Sequence, residues 1–376
     1  RRSRGSSRLK CLNDLNEFNF LNYFETEEHM LKKFGILLAA LWLFPCAAQA
    51  ASGALAEEFY KGKTVRFIVG FTAGGGFDVY ARTIARHIGK HIPGKPTTIV
   101  DNMPGAGSLI AANYIYNQAK PDGLTIGHWI GGWAVQQVIK GSEGIKFDAR
   151  KFEWVGLVVN DNPACVLTKA SGIANLGQWL LAKEPIKIGV TGAGSDTHYV
   201  PSILKAALGL PAQLVEGYKG TADIRLAADS GELHGGCWAW ESLKPTWRKG
   251  LETGDVKPII QAVPKKHPDL SDVPNAIDYA KTDEARQLIQ AGIHNTSAIN
   301  RSFSIAPGTP KERVRVLQKA FMETMKDPEF LAETRKSQLD VNPLPGDEVA
   351  KIVASFFELK PDIVTKLTEI LAPRKR

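Results

Sequence analysis

The stretch from Val65 to Asp78, VRFIVGFTAGGGFD, constrains the fold of this chain more than any other. A β-rich apolar run ends in three consecutive glycines, Gly74, Gly75 and Gly76. The segment Val79 to His91 then has helical periodicity, with Ala81, Ile84, Ala85 and Ile88 on one face. Strand, glycine loop and helix start, in that order, make a seat for an anion. Glycine lets backbone N–H groups approach a ligand, and the helix start offers unpaired donors at the positive end of its dipole. Asp78 stands where an N-cap is expected. Taken alone, the segment also reads as a bare strand-to-helix turn with no ligand.

The pattern recurs. Ile186 to Val190 reads as a strand, Thr191-Gly192-Ala193-Gly194-Ser195-Asp196 as a glycine loop, and Thr197 to Leu208 as a helix. Between the two units lie a strand at Thr97 to Val100, a further glycine loop at Asp101 to Ser108, a helix at Leu109 to Gln118 and a strand at Leu124 to His128. This βαβαβ start implies a parallel sheet with helices on both faces. Phe152 to Thr168 reads as extended, and after Phe303 to Ala306 come helical stretches at Pro310 to Met325 and Asp347 to Leu371. Each glycine unit opens what reads as its own α/β domain, one near Gly75 and one near Gly194. The expected division is 57–152 plus 302–376 for the first domain and 153–301 for the second. Ligands of open α/β sheets bind beyond the carboxyl ends of the strands, so two such domains would place both seats around a shared cleft.

The N-terminus points to the compartment. From Met30 the chain reads MLKKFGILLAALWLFPCAAQA: two lysines, an apolar run, then Ala48-Gln49-Ala50. That is a secretory signal over 30–50, with cleavage expected after Ala50. The run is shorter than the ~18 residues a spanning helix needs. Cys46 follows Phe44 and Pro45, whose bulk fits a lipoprotein box poorly, so no lipid anchor is expected. Residues 1–29 begin without methionine, show no pattern and read as an unstructured upstream mis-start. Removing Arg1 to Ala50, with seven Lys/Arg and five Asp/Glu, lowers the formal net charge from +8 to +6. That surplus is scattered and carries no aromatic-basic stripe, so nucleic acid is not an expected partner. Cys165 and Cys237 remain in the exported part; a disulfide and two buried thiols both fit the sequence. No set of residues has metal-ligand spacing. An exported, two-domain α/β chain with a central cleft reads as a hinged solute receptor.

Several motifs in fixed order sharpen this reading. FYKGKTVRFIVGFTAGGGFDVYAR, VDNMPGAGSLIAANYIYNQAKPDGLTIG, GVTGAGSDTH (Gly189 to His198), EGYKGTADIRLAADSGELHGG (Glu216 to Gly236) and IAPGTPKERV (Ile305 to Val314) follow one another from Phe59 to the C-terminal helix. Together they resemble the periplasmic receptors of tripartite tricarboxylate transporters, the Bug or TctC family. The resemblance implies a two-domain periplasmic-binding-protein fold, a flytrap of type II-like form with a central ligand cleft. It implies a monomer, not an enzyme and without a cofactor, that binds a small organic carboxylate and delivers it to a two-component membrane permease. The family holds its carboxylate largely through backbone groups, small hydroxyls and waters from two facing loops. Carried onto this chain, the ligand-binding set is Gly75, Gly76, Phe77 and Asp78 from the first loop, and Gly194, Ser195, Thr197 and His198 from the second. Trp133 and Trp238 join them at strand ends placed near the cleft by the resemblance.

This chain departs from the family in its first loop, where Thr72-Ala73 replaces a common proline pair and Phe77 replaces threonine. An aromatic ring there, with Trp133 and Trp238, makes the cleft less polar than a citrate site requires, since each buried charge needs several donors. The expected ligand has one or two carboxylates and an apolar or aromatic body. Trp129 and Trp240 read equally as core residues. Ser195, Asp196 and His198 are triad residue types, but near-adjacency does not establish a nucleophile–base–orienter geometry, and the Gly-x-Ser-x-Gly elbow is absent. His87 and His91 lie at i, i+4 with no nearby carboxylate in sequence and read as a solvated face. The rival class is an NAD-dependent oxidoreductase with a Rossmann-like domain, supported by the first βαβ unit and Asp101. Against it stand the missing third glycine, the charge of Asp78 beside the expected pyrophosphate, and the secretory signal.

Overall fold

The computed structural model describes residues 57–139 and 144–371. The secretory signal, its cleavage site, Cys46 and the upstream segment lie outside the described residues. Two sheets organise the rest. The first contains β1 (Thr64–Val69), β2 (Thr97–Asn102), β3 (Thr125–His128), β4 (Glu153–Leu157), β10 (Ser302–Ile305) and β11 (Leu344–Pro345), in the order β11-β4-β10-β3-β1-β2. The second contains β5 (Pro163–Thr168), β6 (Ile186–Gly189), β7 (Ala212–Val215), β8 (Gly235–Ala239) and β9 (Val256–Gln261), in the order β7-β6-β8-β5-β9.

β1 pairs in parallel with β2 and β3, as the βαβ reading requires. Its Val65, Phe67, Ile68 and Val69 are all buried, a near-continuous apolar run that fits a strand covered on both faces. β6 likewise runs parallel to β7 and β8. Neither sheet is wholly parallel, however. β10 runs antiparallel to β3 and β4, and β5 antiparallel to β8 and β9. The antiparallel strands are those that carry the chain from one lobe to the other and back. In β4, Leu157 stands opposite Ser302 of β10, so β4 belongs to the first sheet.

Helices α1 (Gly76–Ile88), α2 (Leu109–Asn117) and α3 (Gly132–Val138) follow the first three strands. In the second lobe come α4 (Leu176–Leu180), α5 (Asp196–Leu208), α6 (Thr221–Asp229) and α7 (Trp240–Thr246). The strand register also decides what the sequence left open about the cysteines. Cys165 and Cys237 face each other across β5 and β8 and are joined as a disulfide. Among the described residues, no helix is long and apolar enough to cross a membrane.

Candidate functional site

α1 begins at Gly76, with Gly75 as its N-cap residue, and Asp78 falls in the first turn instead of capping it. From there the Asp78 carboxylate accepts from the Gly74 N–H at 2.9 Å, from Asn102 Nδ2 at 2.9 Å and from Arg82 Nε at 2.9 Å. Asp78 thus folds the loop onto its own helix. Burial alone would raise its pKa, but these donors hold it below the usual carboxylate range. Asn102 also donates to the Phe71 carbonyl, which ties the loop to the end of β2.

α5 begins at Asp196, with Ser195 as its N-cap residue. Ser195 Oγ makes no capping bond. It donates to the Gly192 carbonyl at 2.7 Å and meets Thr197 Oγ1 at 2.7 Å, and Thr197 Oγ1 accepts from the Thr191 N–H at 3.0 Å. Asp196 accepts from the N–H of Thr197 at 2.9 Å and, across the sheet, from the N–H of Ala239 at 3.3 Å. Among the described residues it forms no direct ion pair, and the charge of Arg301 acts on it only from nearby.

The starts of α1 and α5 border one narrow cavity of about 10 Å³ between the closely packed lobes. Phe71, Gly75, Gly76 and Phe77 line it from the first lobe, and Asp196, Thr197, Thr221, Trp238 and Ser242 from the second. Of the residues expected from sequence, Gly75, Gly76, Phe77, Thr197 and Trp238 come together here. Asp78 does not line the cavity, because its carboxylate is turned back onto Gly74, Arg82 and Asn102. Ser195 is fully buried behind Thr197. Trp133 donates from Nε1 to the Gly107 carbonyl at 2.6 Å, and its ring lies against Gly194, where an added Cβ would come within 2.6 Å of it. Those two residues fasten lobe to lobe outside the cavity. His198 lies apart from the cavity lining; burial lowers its pKa, partly offset by Glu216. Trp129 and Trp240 belong to the packing, donating to Ser304 Oγ and Asp269 respectively.

The lobes meet closely. A Cβ on Gly76 would lie 1.8 Å from Ser242 Oγ, and one on Gly220 would lie 2.1 Å from Thr72 Oγ1. The Gly107 N–H donates to the Thr191 carbonyl at 3.1 Å, Arg225 Nη2 donates to the Gly74 carbonyl at 3.0 Å, and Lys244 pairs with Asp340 at 2.7 Å. Arg225, on α6, thus reaches across to the first glycine loop.

Behind the cavity sits a group that sequence reading missed. Arg301, just before β10, and Asp161, just before β5, lie on the two segments that cross between the lobes. They form a fully buried ion pair. Arg301 Nη2 donates to Ser242 Oγ at 2.5 Å, and its guanidinium lies 5.1 Å from the Phe77 ring centre. Glu241 is buried nearby and accepts from Asn162 Nδ2 at 2.6 Å and the Asn162 N–H at 2.9 Å. Burial, with the charge of Asp161, pushes both Asp196 and Glu241 up to about 7. The four residues come from segments 140 positions apart at the extremes, so no local spacing announces them.

His87 and His91 find carboxylates only in the folded chain, Glu333 at 2.7 Å and Asp327 at 2.6 Å. Arg86 and Lys90 share those same carboxylates, which makes an ion-pair network of the face expected to be solvated. Asp101 is likewise engaged, by Arg66.

Two lobes joined by two crossings, with a cavity between facing helix starts, define the class of two-lobed periplasmic binding proteins. The structure is similar to that of the periplasmic binding protein BugD, with a TM-score of 0.66 at 21% identity, covering 83% of this chain and 99% of that one. It is similar to MatC from Rhodopseudomonas palustris with bound malate, with a TM-score of 0.64 at 21% identity over 80% of this chain and 99% of that one. An R. palustris protein with adipate matches at a TM-score of 0.66 and 22% identity, over 82% of this chain and 98% of that one. The UPF0065 protein in the gbd 5'region of Cupriavidus necator is 25% identical over 349 residues, covering 90% of this chain and 97% of that protein. The tripartite tricarboxylate transporter family receptor, TctC, matches residues 80–368, and the chain belongs to that family.

Proposed function

We propose that this protein is a periplasmic solute receptor that captures a small organic carboxylate between its lobes. It hands the ligand to a two-component membrane permease of the tripartite tricarboxylate type and catalyses no reaction itself. The observation that carries this reading is that two facing helix starts border one narrow cavity between the lobes. At each start, backbone N–H groups lack helical partners and the dipole favours negative charge. Thr197, Thr221 and Ser242 add hydroxyls. Ser242 Oγ already accepts from Arg301, so its own proton is free to donate forward. Malate in MatC and adipate in the second R. palustris protein support a carboxylate by analogy.

Phe71, Phe77 and Trp238 give the cavity an apolar wall, and no lysine or arginine lines it. A ligand with one or two carboxylates and an apolar or aromatic body suits such a wall better than citrate does, since three desolvated charges need more donors than are present. Aromatic stacking adds about 0.5–1.5 kcal/mol beyond burial, enough to separate similar acids. The test is a thermal-shift screen of mono-, di-, tri- and aromatic carboxylates, because a ligand that binds only the folded state raises the melting temperature. A short dicarboxylic or aromatic acid should raise it and also change tryptophan fluorescence through Trp238. Tight citrate binding with no response to the others overturns the ligand reading, and silence across the whole panel overturns the receptor reading.

A further inference from the structure

α1 opens on the cavity at one end and carries a pair of histidines at the other. His87 lies in its last turn, and His91 in the 3₁₀ turn Gly89–His91 that continues it. Residues spaced i, i+4 share a helix face, so two imidazoles can reach one ion from there. The sequence offers them no carboxylate nearby, but the fold brings three, Asp327, Glu329 and Glu333, at and after the start of the helix Pro328–Lys336. His91 Nε2 lies 2.6 Å from Asp327 Oδ2, and His87 Nε2 lies 2.7 Å from Glu333 Oε2. His87, Asp327 and Glu329 each present a ligand atom within 4.8 Å of the other two. Two contacts fix these groups. Asp327 Oδ1 accepts from the N–H groups of Glu329 at 2.8 Å and Phe330 at 3.3 Å, which leaves Oδ2 to the histidine side. The His87 ring stands edge-on to Phe330, with ring centres 5.7 Å apart. Outer contacts of this kind orient metal ligands.

A cation already sits among them. Lys90 Nζ lies 2.7 Å from Asp327 and 2.6 Å from Glu329, while Arg86 pairs with Glu333. The ammonium marks where positive charge belongs, yet it is a weakly held occupant. Its side chain is 38% exposed, and exposed pairs contribute little because water screens them. With neutral imidazoles, two cations face three carboxylates, so a negative surplus remains. Zinc holds N and O ligands at about 2.0–2.2 Å, which sets them roughly 3.4 Å apart in a tetrahedron. Small side-chain rotations bring the present separations to that value.

We propose that His87, His91, Asp327 and Glu329 bind a divalent transition-metal ion, Zn²⁺, which displaces Lys90 and fastens the end of α1 to the helix Pro328–Lys336. Glu333 keeps Arg86. An imidazole–carboxylate set suits Zn²⁺, whereas Mg²⁺ and Ca²⁺ prefer oxygen alone. The site lies at the far end of α1 from the cavity, so it stabilises the first lobe without touching the ligand.

The experiment is calorimetric titration of the tag-free protein with zinc chloride, with thermal melts alongside. One ion per chain should bind with micromolar or tighter affinity and raise the melting temperature. Replacing His87→Gln and His91→Gln together should weaken binding at least about tenfold and remove the thermal rise. Lys90→Met should instead tighten binding about tenfold, since the competing ammonium is gone. His267→Gln, in a separate cluster with Glu241 and Asp340, should bind like the parent. Circular dichroism verifies that each variant is folded. Zinc binding by neither the parent nor Lys90→Met overturns the proposal, and leaves the cluster as an ion-pair network. Undiminished binding in the double histidine variant, or binding lost in His267→Gln, also overturns it by placing the ion elsewhere. Mg²⁺ bound as tightly as Zn²⁺ overturns it too, since the imidazoles then contribute nothing.

Discussion

Asp78 and Asp196 occupy the first turns of two helices that begin in the same way, yet they meet opposite fates. Asp78 has Arg82 one turn on, Asn102 from the next strand and the Gly74 N–H behind it. Asp196 has Val200 one turn on, and its nearest charged neighbours include Asp161. Both are nearly inaccessible, at 3% and 5% exposure, so burial does not distinguish them. Partners do. A carboxylate at a helix start is stabilised by the dipole in either case, but the first has Arg82 to itself, whereas the second shares the charge of Arg301 with Asp161 and Glu241. The first loop is therefore charge-balanced by its own cation, whereas the buried acids beside the second share the one guanidinium of Arg301.

The largest test of this contrast is Arg301→Met. It removes the one guanidinium shared by Asp161, Glu241 and Asp196 and should cost about 3–5 kcal/mol, as breaking a buried ion pair does. Urea denaturation of the variant and parent measures it. A loss below about 1 kcal/mol would mean that the cluster is already largely neutral, and the electrostatic account of the second wall would fall.

The next is pH. A carboxyl group whose folded-state pKa is raised binds its proton more tightly when folded. Its stabilising contribution is complete below the unfolded value of about 3.9 to 4.3 and is lost as pH rises through the folded value. For Asp196 and Glu241 that loss builds as pH rises from about 4 and is largely complete by about 7. The melting temperature of the ligand-free protein should therefore drop between about pH 5 and pH 8, and Asp196→Asn should flatten the slope. Asp78 has the reverse sign. Its contribution is present above the unfolded value and is lost as pH falls through its lowered folded value. A parent protein that gains stability from pH 5 to pH 8 would contradict the assignment at Asp196.

The smallest effect is expected from Asp78→Asn. The Arg82 side chain is 42% exposed, so water screens the pair, and a loss of about 1 kcal/mol is expected. This loss should appear at neutral pH and shrink in acid. Thermal melts of the variant at both pH values measure it. A loss comparable to that of Arg301→Met would show that the two aspartates differ less than their surroundings imply.

Much of the fold was written locally. The strand–glycine–helix units near Gly75 and Gly194 form where periodicity placed them, because a β-rich run, glycine and a helical face each act over a few residues. The cavity lining at Gly75, Gly76, Phe77, Thr197 and Trp238 followed from the same units and from resemblance. Even the neutralisation of Asp78 had a local sign in the i, i+4 spacing of Asp78 and Arg82.

What required the tertiary structure was everything set by distant segments meeting. β4 joined the first sheet because it pairs with β10, a strand about 150 residues further on. Cys165 met Cys237 because β5 and β8 are register partners across 72 residues. Trp133 closed on Gly194 and the Gly107 carbonyl in place of the cavity, since the contact between lobes needed a flat ring against a bare backbone. Arg301 found Asp161 and Ser242 across 140 and 59 residues. Sequence spacing records what a residue's near neighbours are; the charge balance around Asp196 depends on which crossing segments pack behind it, and only the folded chain decides that.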